Sequence, residues 1–260
     1  MLIDTHAHIH FDEYKNDLDD ILDNCKINKV TKIITIGTDE QNSKDALSFS
    51  HNNDFGTIDI YASAGIHPHD ADRGEDSLLT LRELVMDGGY GEKLVAIGEC
   101  GLDYYRNNSP REMQIKTLEF QLQLALDSQL PLVFHVRDAW DDFFGVLKNF
   151  KNIRGVVHSF TGTSREVELA TKNNLYFGIN GIMTFTKQQE QLEAVKAISN
   201  EKLLFETDCP FLTPEPLRGK RNEPANIKII AEFVAKLRGE AFEEICTYTT
   251  TNAKTLFGLK

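Results

Sequence analysis

Short apolar segments rich in β-branched residues alternate along this chain with longer segments of helical periodicity. We identify eight candidate strands, at Leu2 to His6, Val30 to Gly37, Ile60 to Ile66, Leu94 to Glu99, Leu132 to Val136, Gly155 to Ser159, Leu175 to Ile179 and Lys202 to Asp208. Strands separated by helical segments favour parallel pairing, because each return to the same edge of the sheet needs a crossover connection.

Eight β-α repeats in 260 residues match an α/β fold of the TIM (β/α)8 barrel type. A doubly wound sheet would show fewer strands and a glycine-rich first turn, which the sequence lacks. We therefore predict a single barrel domain over residues 1–260. Additional C-terminal helices, at 225–237 and 240–256, are expected to cover the barrel.

The clearest helical pattern runs from Arg111 to Leu126. Its apolar residues recur at helical spacing and predict one buried stripe: Met113, Ile115, Leu118, Leu122 and Leu126. Pro110 suits the first turn of this helix, and Ser109 is a plausible N-cap.

Composition restricts the classes of function. A net charge of −12 disfavours a protein that coats long nucleic acid, although a site for one or two phosphates stays compatible with it. The four cysteines form no Cys-x-x-Cys pair and predict neither a disulfide framework nor a zinc finger. The amino-terminal residues lack the features of a signal peptide, and no apolar run is long enough for a membrane span. We expect a soluble, cytoplasmic protein.

Ionisable side chains stand where the candidate strands end. His6 and His8 share one face of the first strand, because alternate residues of a strand project the same way. Four other strands end in similar residues: Glu99, His135, His158 and Asp208. Since active sites of parallel barrels lie at the carboxyl ends of the strands, we expect all six side chains to converge.

A metal centre explains this convergence better than packing does. A lone histidine in an apolar strand is more often a hydrogen-bonded core residue. Several imidazoles and carboxylates buried together would cost several kcal/mol per unpaired charge, and no Lys or Arg is interleaved at these strand ends. Nitrogen and oxygen ligands without thiolates suit Zn, Mn, Mg, Ni or Co, and the sequence does not choose among these ions.

Several motifs in order along the chain resemble the TatD-type deoxyribonucleases. They are Asp4–His8 (DTHAH), Gly65–His69 (GIHPH), Gly98–Tyr104 (GECGLDY), Pro131–Arg137 (PLVFHVR), His158–Phe160 (HSF), Glu206–Pro210 (ETDCP) and Arg221–Pro224 (RNEP). The resemblance covers nearly the whole chain. It implies an amidohydrolase-like TIM barrel that acts as a divalent-metal nuclease or a related phosphoesterase.

The resemblance also implies a division of labour between two metal ions. His6, His8 and Asp208 would hold the first ion. His135 and His158 would hold the second, and Glu99 would bridge both. Two such ions can hold a bridging hydroxide for attack on a phosphodiester.

Further roles are open to residues around the ligands. Asp208 is the candidate general base or water orienter, with Glu206 as a supporting catalytic residue or a hydrogen-bonded part of the barrel interior. Asp4 is weighed toward a structural role. By resemblance His67 contacts the substrate phosphate, and Arg221 is a second candidate for phosphate binding, whereas His69 is expected to shape its loop. The sequence leaves four roles undecided: Arg137, Tyr104, Tyr105 and Lys220.

The leading hypothesis is a 3′ to 5′ exonuclease that acts on DNA ends or single-stranded DNA, with a monomer favoured. A second hypothesis keeps the metals but changes the bond to another ester or an amide, such as an aminoacyl ester or lactone. A third is a protein that binds metal or nucleic acid without turnover. A phosphoesterase class that ends its site in Asp-x-His is disfavoured, because Cys209 and Pro210 follow Asp208.

Overall fold

The computed structural model describes residues 1–260 and contains one parallel sheet whose eight strands pair in sequence order. The strands are β1 Leu2–Ala7, β2 Val30–Ile36, β3 Asp59–Ala64, β4 Leu94–Asp103, β5 Leu132–Arg137, β6 Gly155–Val157, β7 Leu175–Ile179 and β8 Leu203–Phe205. The helices are α1 Leu18–Ile27, α2 Glu40–Asn52, α3 Glu75–Asp87, α4 Arg111–Ser128, α5 Trp140–Leu147, α6 Ser164–Lys172, α7 Gln189–Ala197, α8 Ile227–Arg238 and α9 Phe242–Phe257.

The sheet closes between its first and last strands. A parallel bridge joins Ala7 to Cys209. Beside it, the Asp208 amide donates to the His6 carbonyl and the His8 amide donates to the Cys209 carbonyl, both at 2.8 Å. Closure confirms the predicted TIM barrel and brings three of the predicted ligands together at the seam. The interpretation of residues 1–260 as one domain stays a prediction.

Strands β6 and β8 are shorter than predicted, so His158 and Asp208 lie just beyond their ends. The backbone changes direction beyond them, since Ser159, two residues after β6, has φ = 48° and Asp208, three residues after β8, has φ = 55°. A left-handed residue ends the extended backbone that the apolar pattern alone predicts to continue. In contrast, β4 extends beyond Glu99 to Asp103.

Buried apolar side chains fill the barrel below the predicted site. Val133, Val156 and Leu204 are each two residues before one of the site residues and share one buried cluster. Leu256 and Phe257 of α9 join the same cluster. The predicted covering helix therefore packs against the floor of the barrel.

No helix of the chain is both long and apolar enough to cross a membrane.

The predicted apolar stripe of α4 is partly wrong. Leu118 and Leu122 are buried as expected, but the buried face also carries Gln114 and Gln121. Ser109 does not cap the helix, because Pro110 occupies the N-cap and the Ser109 hydroxyl donates to the His69 carbonyl at 2.8 Å. Helical periodicity misses polar side chains that bind neighbouring loops.

Gln121 binds the backbone of the loop that follows β3. Its Oε1 accepts from the Ile66 amide at 2.8 Å, and its Nε2 donates to the Ile66 carbonyl at 3.0 Å. Gln121 is fully buried. If its amide were removed, both backbone groups would lose their partners, because water does not reach them. The residue after Ile66 is the predicted substrate residue His67.

We predict that Gln121→Leu lowers the free energy of unfolding by about 2 kcal/mol, because it leaves two buried backbone groups unsatisfied. Urea unfolding followed by circular dichroism measures the change. The matched control is Gln123→Leu on the exposed face of α4, where the amide donates only to Asp127. Equal stability of the two variants would contradict the proposed role of Gln121.

Candidate metal centre

Four imidazoles surround the carboxylate of Glu99, which lies in β4. Its Oε2 is 3.4 Å from His6 Nε2. Its Oε1 is 2.9 Å from His158 Nε2, 3.0 Å from His135 Nδ1 and 3.4 Å from His67 Nε2. The two oxygens therefore face different imidazoles, which lie in or shortly after different strands.

Asp208 completes the cluster on the side of β1. Its Oδ1 lies 3.5 Å from His6 Nε2 and 3.4 Å from His8 Nε2. The second ring nitrogen of His8, Nδ1, is 3.0 Å from the Ile36 carbonyl, which fixes the ring. The structure thus brings together all six residues that the sequence predicts as metal ligands.

The spacing of these atoms fits a divalent ion. Nitrogen and oxygen ligands at about 2.1 Å from a tetrahedral ion lie about 3.4 Å from one another. The distances from His6 to Glu99 and from His8 to Asp208 are both 3.4 Å. Both ring nitrogens of the buried His6 also lack a hydrogen-bond partner. Buried imidazoles without partners are costly unless a ligand satisfies them, so the residues fit a metal.

Three overlapping groups of side chains could each hold an ion: His6 with His8 and Glu99, His6 with His158 and Glu206, and His67 with Glu99 and His135. The donor atoms of each group lie within 4.8 Å of one another. Glu99 belongs to two of these groups and so connects both sides of the cluster.

The imidazoles keep the two carboxylates charged despite their burial. Burial by itself would raise the pKa of Glu99, but His158, His67 and His6 hold this pKa well below its usual range. Burial likewise opposes ionisation of Asp208, yet a hydrogen bond from His8 and the charges of His6 and His158 lower its pKa. Charged carboxylates are the form that binds a cation.

The imidazoles themselves differ in their preference for a proton. Burial lowers the pKa of His6, and burial lowers the pKa of His67 to about 4. Burial would also lower the pKa of His158, but Glu99 and Glu206 raise this pKa well above the usual value. A cation would compete with that proton for the same nitrogen, because a histidine ligates a metal only when it is neutral at that atom.

Asp103 supports the cluster from the end of β4, and sequence reasoning missed it. Its Oδ2 lies 3.0 Å from His135 Nε2 and 3.0 Å from His69 Nε2. Its backbone is held by Gln114, whose Oε1 accepts from the Asp103 amide at 2.8 Å. The sequence does carry a signal for Asp103, because it follows Glu99 by four residues in the motif GECGLDY. His69 thus orients Asp103 in addition to shaping its loop.

Glu206 lies behind His158, inside the barrel. Its Oε1 accepts from the Ser159 amide at 2.6 Å and lies 3.5 Å from His158 Nδ1, beyond an ordinary hydrogen bond. Gly178 leaves the space for this carboxylate, since a Cβ there would be 2.1 Å from Glu206 Oε2. Glu206 is thus a packed interior group beside a ligand candidate, and its catalytic role stays a prediction.

Asp4 has the structural surroundings expected of it. Its carboxyl accepts from the Thr207 amide at 2.9 Å and from the Thr207 hydroxyl at 2.6 Å. Complete burial raises the pKa of Asp4 to about 8. These bonds tie β1 to the segment after β8, directly below His6 and Asp208.

The two predicted substrate residues differ in position. His67 lies in the cluster, with a side chain that keeps 12% of its surface exposed. Arg221 forms an ion pair with Asp17 and lies over the ring of Tyr14, with its guanidinium carbon 4.7 Å from the ring centre. No hydrogen bond joins Arg221 to the cluster, so its role in phosphate binding stays a prediction.

The aromatic side chains near the cluster differ in their exposure to solvent. Phe160 is buried, and the Tyr104 hydroxyl donates to Asp142 at 2.8 Å. Tyr105 is 61% exposed. Phe211, which the sequence did not single out, is 53% exposed and meets the ring of His8 edge-on at 6.1 Å between centres.

A parallel barrel that gathers imidazoles and carboxylates at the carboxyl ends of its strands is the architecture of a metal-dependent hydrolase. Comparison with known proteins gives the same class. The family model described as TatD related DNase matches residues 3–258. The chain therefore belongs to the TatD related DNase family, which confirms the resemblance found in the sequence and the prediction of a metal-dependent hydrolase.

Relatives in this family align over nearly their whole length. An uncharacterized metal-dependent hydrolase of Bacillus subtilis, YabD, is 42% identical over 99% of both chains. The 3′-5′ ssDNA/RNA exonuclease TatD of Escherichia coli K12 is 32% identical, again over 99% of both. The crystal structure of YjjV, a TatD homologue from E. coli K12, has a TM-score of 0.91 and 28% identity over 100% of this chain and 98% of its own.

We predict that Asp103→Asn weakens metal binding about 10- to 100-fold, because His135 loses the carboxylate that orients its ring. Titration against a competing metal indicator measures the affinity, and near-ultraviolet circular dichroism checks the fold. The control is Asp142→Asn, which removes an exposed carboxylate bonded to Tyr104. Wild-type affinity in a folded Asp103→Asn protein would refute the orienting role.

Proposed function

We propose that this chain is a 3′ to 5′ exonuclease that removes nucleotides from DNA ends or single-stranded DNA with two divalent ions. Relatives named as a 3′-5′ ssDNA/RNA exonuclease and as a deoxyribonuclease support the substrate class. The observation that carries the proposal is the position of Glu99, whose two oxygens face His6 on one side and His135 with His158 on the other.

The residues divide into two ligand sets. His6, His8 and Asp208 would hold the first ion, His135 and His158 would hold the second, and Glu99 would serve both sets. Such a pair of ions neutralises the charge of a phosphodiester and activates water for its attack. Imidazole and carboxylate ligands suit several divalent ions, among them Zn, Mn, Mg, Ni and Co.

The remaining groups bind substrate and move protons. Asp208 holds its charge at the edge of the cluster, where its side chain is 14% exposed and can take the proton from attacking water. Glu206 fixes the segment of His158 through the Ser159 amide. His67 keeps an exposed edge beside Glu99, and in this proposal it donates a hydrogen bond to the phosphate.

The surroundings of the site favour a strand end over a long duplex. The chain carries 40 acidic and 28 basic residues, so it lacks the excess of positive charge that extended phosphate contacts need. Phe211 offers an exposed ring on which one unpaired base can stack. A monomer in a reducing, cytoplasmic compartment completes the proposal, and the four cysteines, which are all free, agree with it.

We expect a single-stranded oligonucleotide with a free 3′ end to be shortened from that end, whereas a 3′-blocked copy is cleaved at least about tenfold more slowly. Glu99→Gln should lower kcat by about 1000-fold or more, because both ligand sets lose a shared charge. Gel or chromatographic analysis of 5′-labelled products measures both effects.

The control variant is Glu92→Gln, which alters an exposed carboxylate paired with Lys260 outside the cluster. Two results would overturn the proposal. One is equal cleavage of the free and blocked ends, and the other is full activity of Glu99→Gln.

A further inference from the structure

Arg137 is a cation at the barrel mouth whose charge has no carboxylate partner. It ends β5 and is exposed. Its guanidinium carbon lies 3.9 Å from the ring centre of Tyr105, so the side chain is spread over an aromatic surface. No ion pair involves Arg137, although the chain has an excess of 12 acidic over basic residues.

Arg137 shares the face of β5 that carries His135 toward the cluster, because residues two apart on a strand project the same way. A rise of about 3.3 Å per residue places its backbone about 6.6 Å beyond that of His135. The neighbouring strand is in register, with Asp103 opposite Arg137, and the Tyr104 amide donates to the Arg137 carbonyl at 2.9 Å. Tyr105 and Arg137 therefore form one paired unit at the rim.

Three acidic residues near Arg137 are engaged with other groups, and the adjacent, exposed Asp138 forms no ion pair with it. Asp142 accepts from the Tyr104 hydroxyl at 2.8 Å. Asp141 pairs with Arg165 at 2.7 Å. The carboxylate of Asp103 points to His69 and His135. The nitrogen–hydrogen groups of Arg137 are thus free for a ligand.

A guanidinium stacked on an aromatic ring is well suited to a phosphate. Stacking holds its plane, so less side-chain entropy is lost when its edge donates two parallel hydrogen bonds to an anion. Arg221, the other cation considered for phosphate, already pairs with Asp17. Arg137 therefore supplies a free positive charge on the side of β4 and β5.

We propose that the unit of Arg137 and Tyr105 binds a second phosphate of the substrate, the phosphodiester next to the one that is cleaved. This inference rests on the proposed nuclease function and names a subsite for it. Arg137 lies one position further out than His135 on the same face of β5, where the phosphodiester next to the cleaved one would lie. The subsite gives the enzyme a preference for substrates with at least two phosphodiesters.

The test compares a thymidine dinucleotide, which has one phosphodiester, with the matching trinucleotide, which has two. We expect Arg137→Gln to reduce kcat/KM for the trinucleotide about tenfold more than for the dinucleotide. The dependence of log KM on log salt for the trinucleotide should also lose about 0.7 in slope, as for one lost phosphate contact on a single strand.

A second variant of Arg137 separates its charge from its hydrogen-bond geometry, and a control variant alters an arginine elsewhere. Arg137→Lys keeps the charge without the planar fork and should restore part of the preference. The matched control is Arg154→Gln, since Arg154 immediately precedes β6 at the opposite end of the barrel and should leave the preference and the salt slope as in the wild type.

The outcomes are distinct for the two proposals. Failure of the wild type to cleave either substrate would overturn the proposed nuclease function. Cleavage of both by the wild type, with an equal loss on both or no loss in Arg137→Gln, would overturn the second phosphate site alone.

Discussion

The charge of Glu99 among four imidazoles is the interaction on which this structure depends. A buried carboxylate is unfavourable by itself, and buried imidazoles without partners are unfavourable as well. Placing them within 2.9 to 3.4 Å of each other offsets part of both costs, but the His6 ring nitrogens remain unpartnered. Bound cations would satisfy these nitrogen atoms, and the same cations would serve in hydrolysis.

The barrel supplies the geometry that such a cluster requires. Closure at Ala7 and Cys209 sets His6 and His8 beside Asp208, while the paired strands β4 and β5 set Glu99 beside His135. Groups behind the cluster then fix its members, as Asp103 does for His135. Below them the interior is apolar, so the polar groups are confined to one end of the barrel.

The sequence predicted the architecture and the six central residues because both follow from local patterns. Apolar runs predict strands, and strand parity predicts which side chains share the mouth. Contacts between distant residues carry no such pattern. The bonds of Gln121 to Ile66 and of Asp103 to two imidazoles depend on how helices and loops pack, and so does the difference between the paired Arg221 and the free Arg137. Left-handed residues in the segments after β6 and β8 likewise interrupt the extended backbone that hydropathy predicts to continue.

The central claim is that one carboxylate joins two ions in a single site. Electron paramagnetic resonance of the metal-free chain titrated with Mn²⁺ tests it most directly. The account predicts binding of two ions per chain, with a spectrum of a magnetically coupled pair that Glu99→Gln converts into that of isolated ions. Saturation at one ion, or two ions without coupling in the wild type, would contradict it.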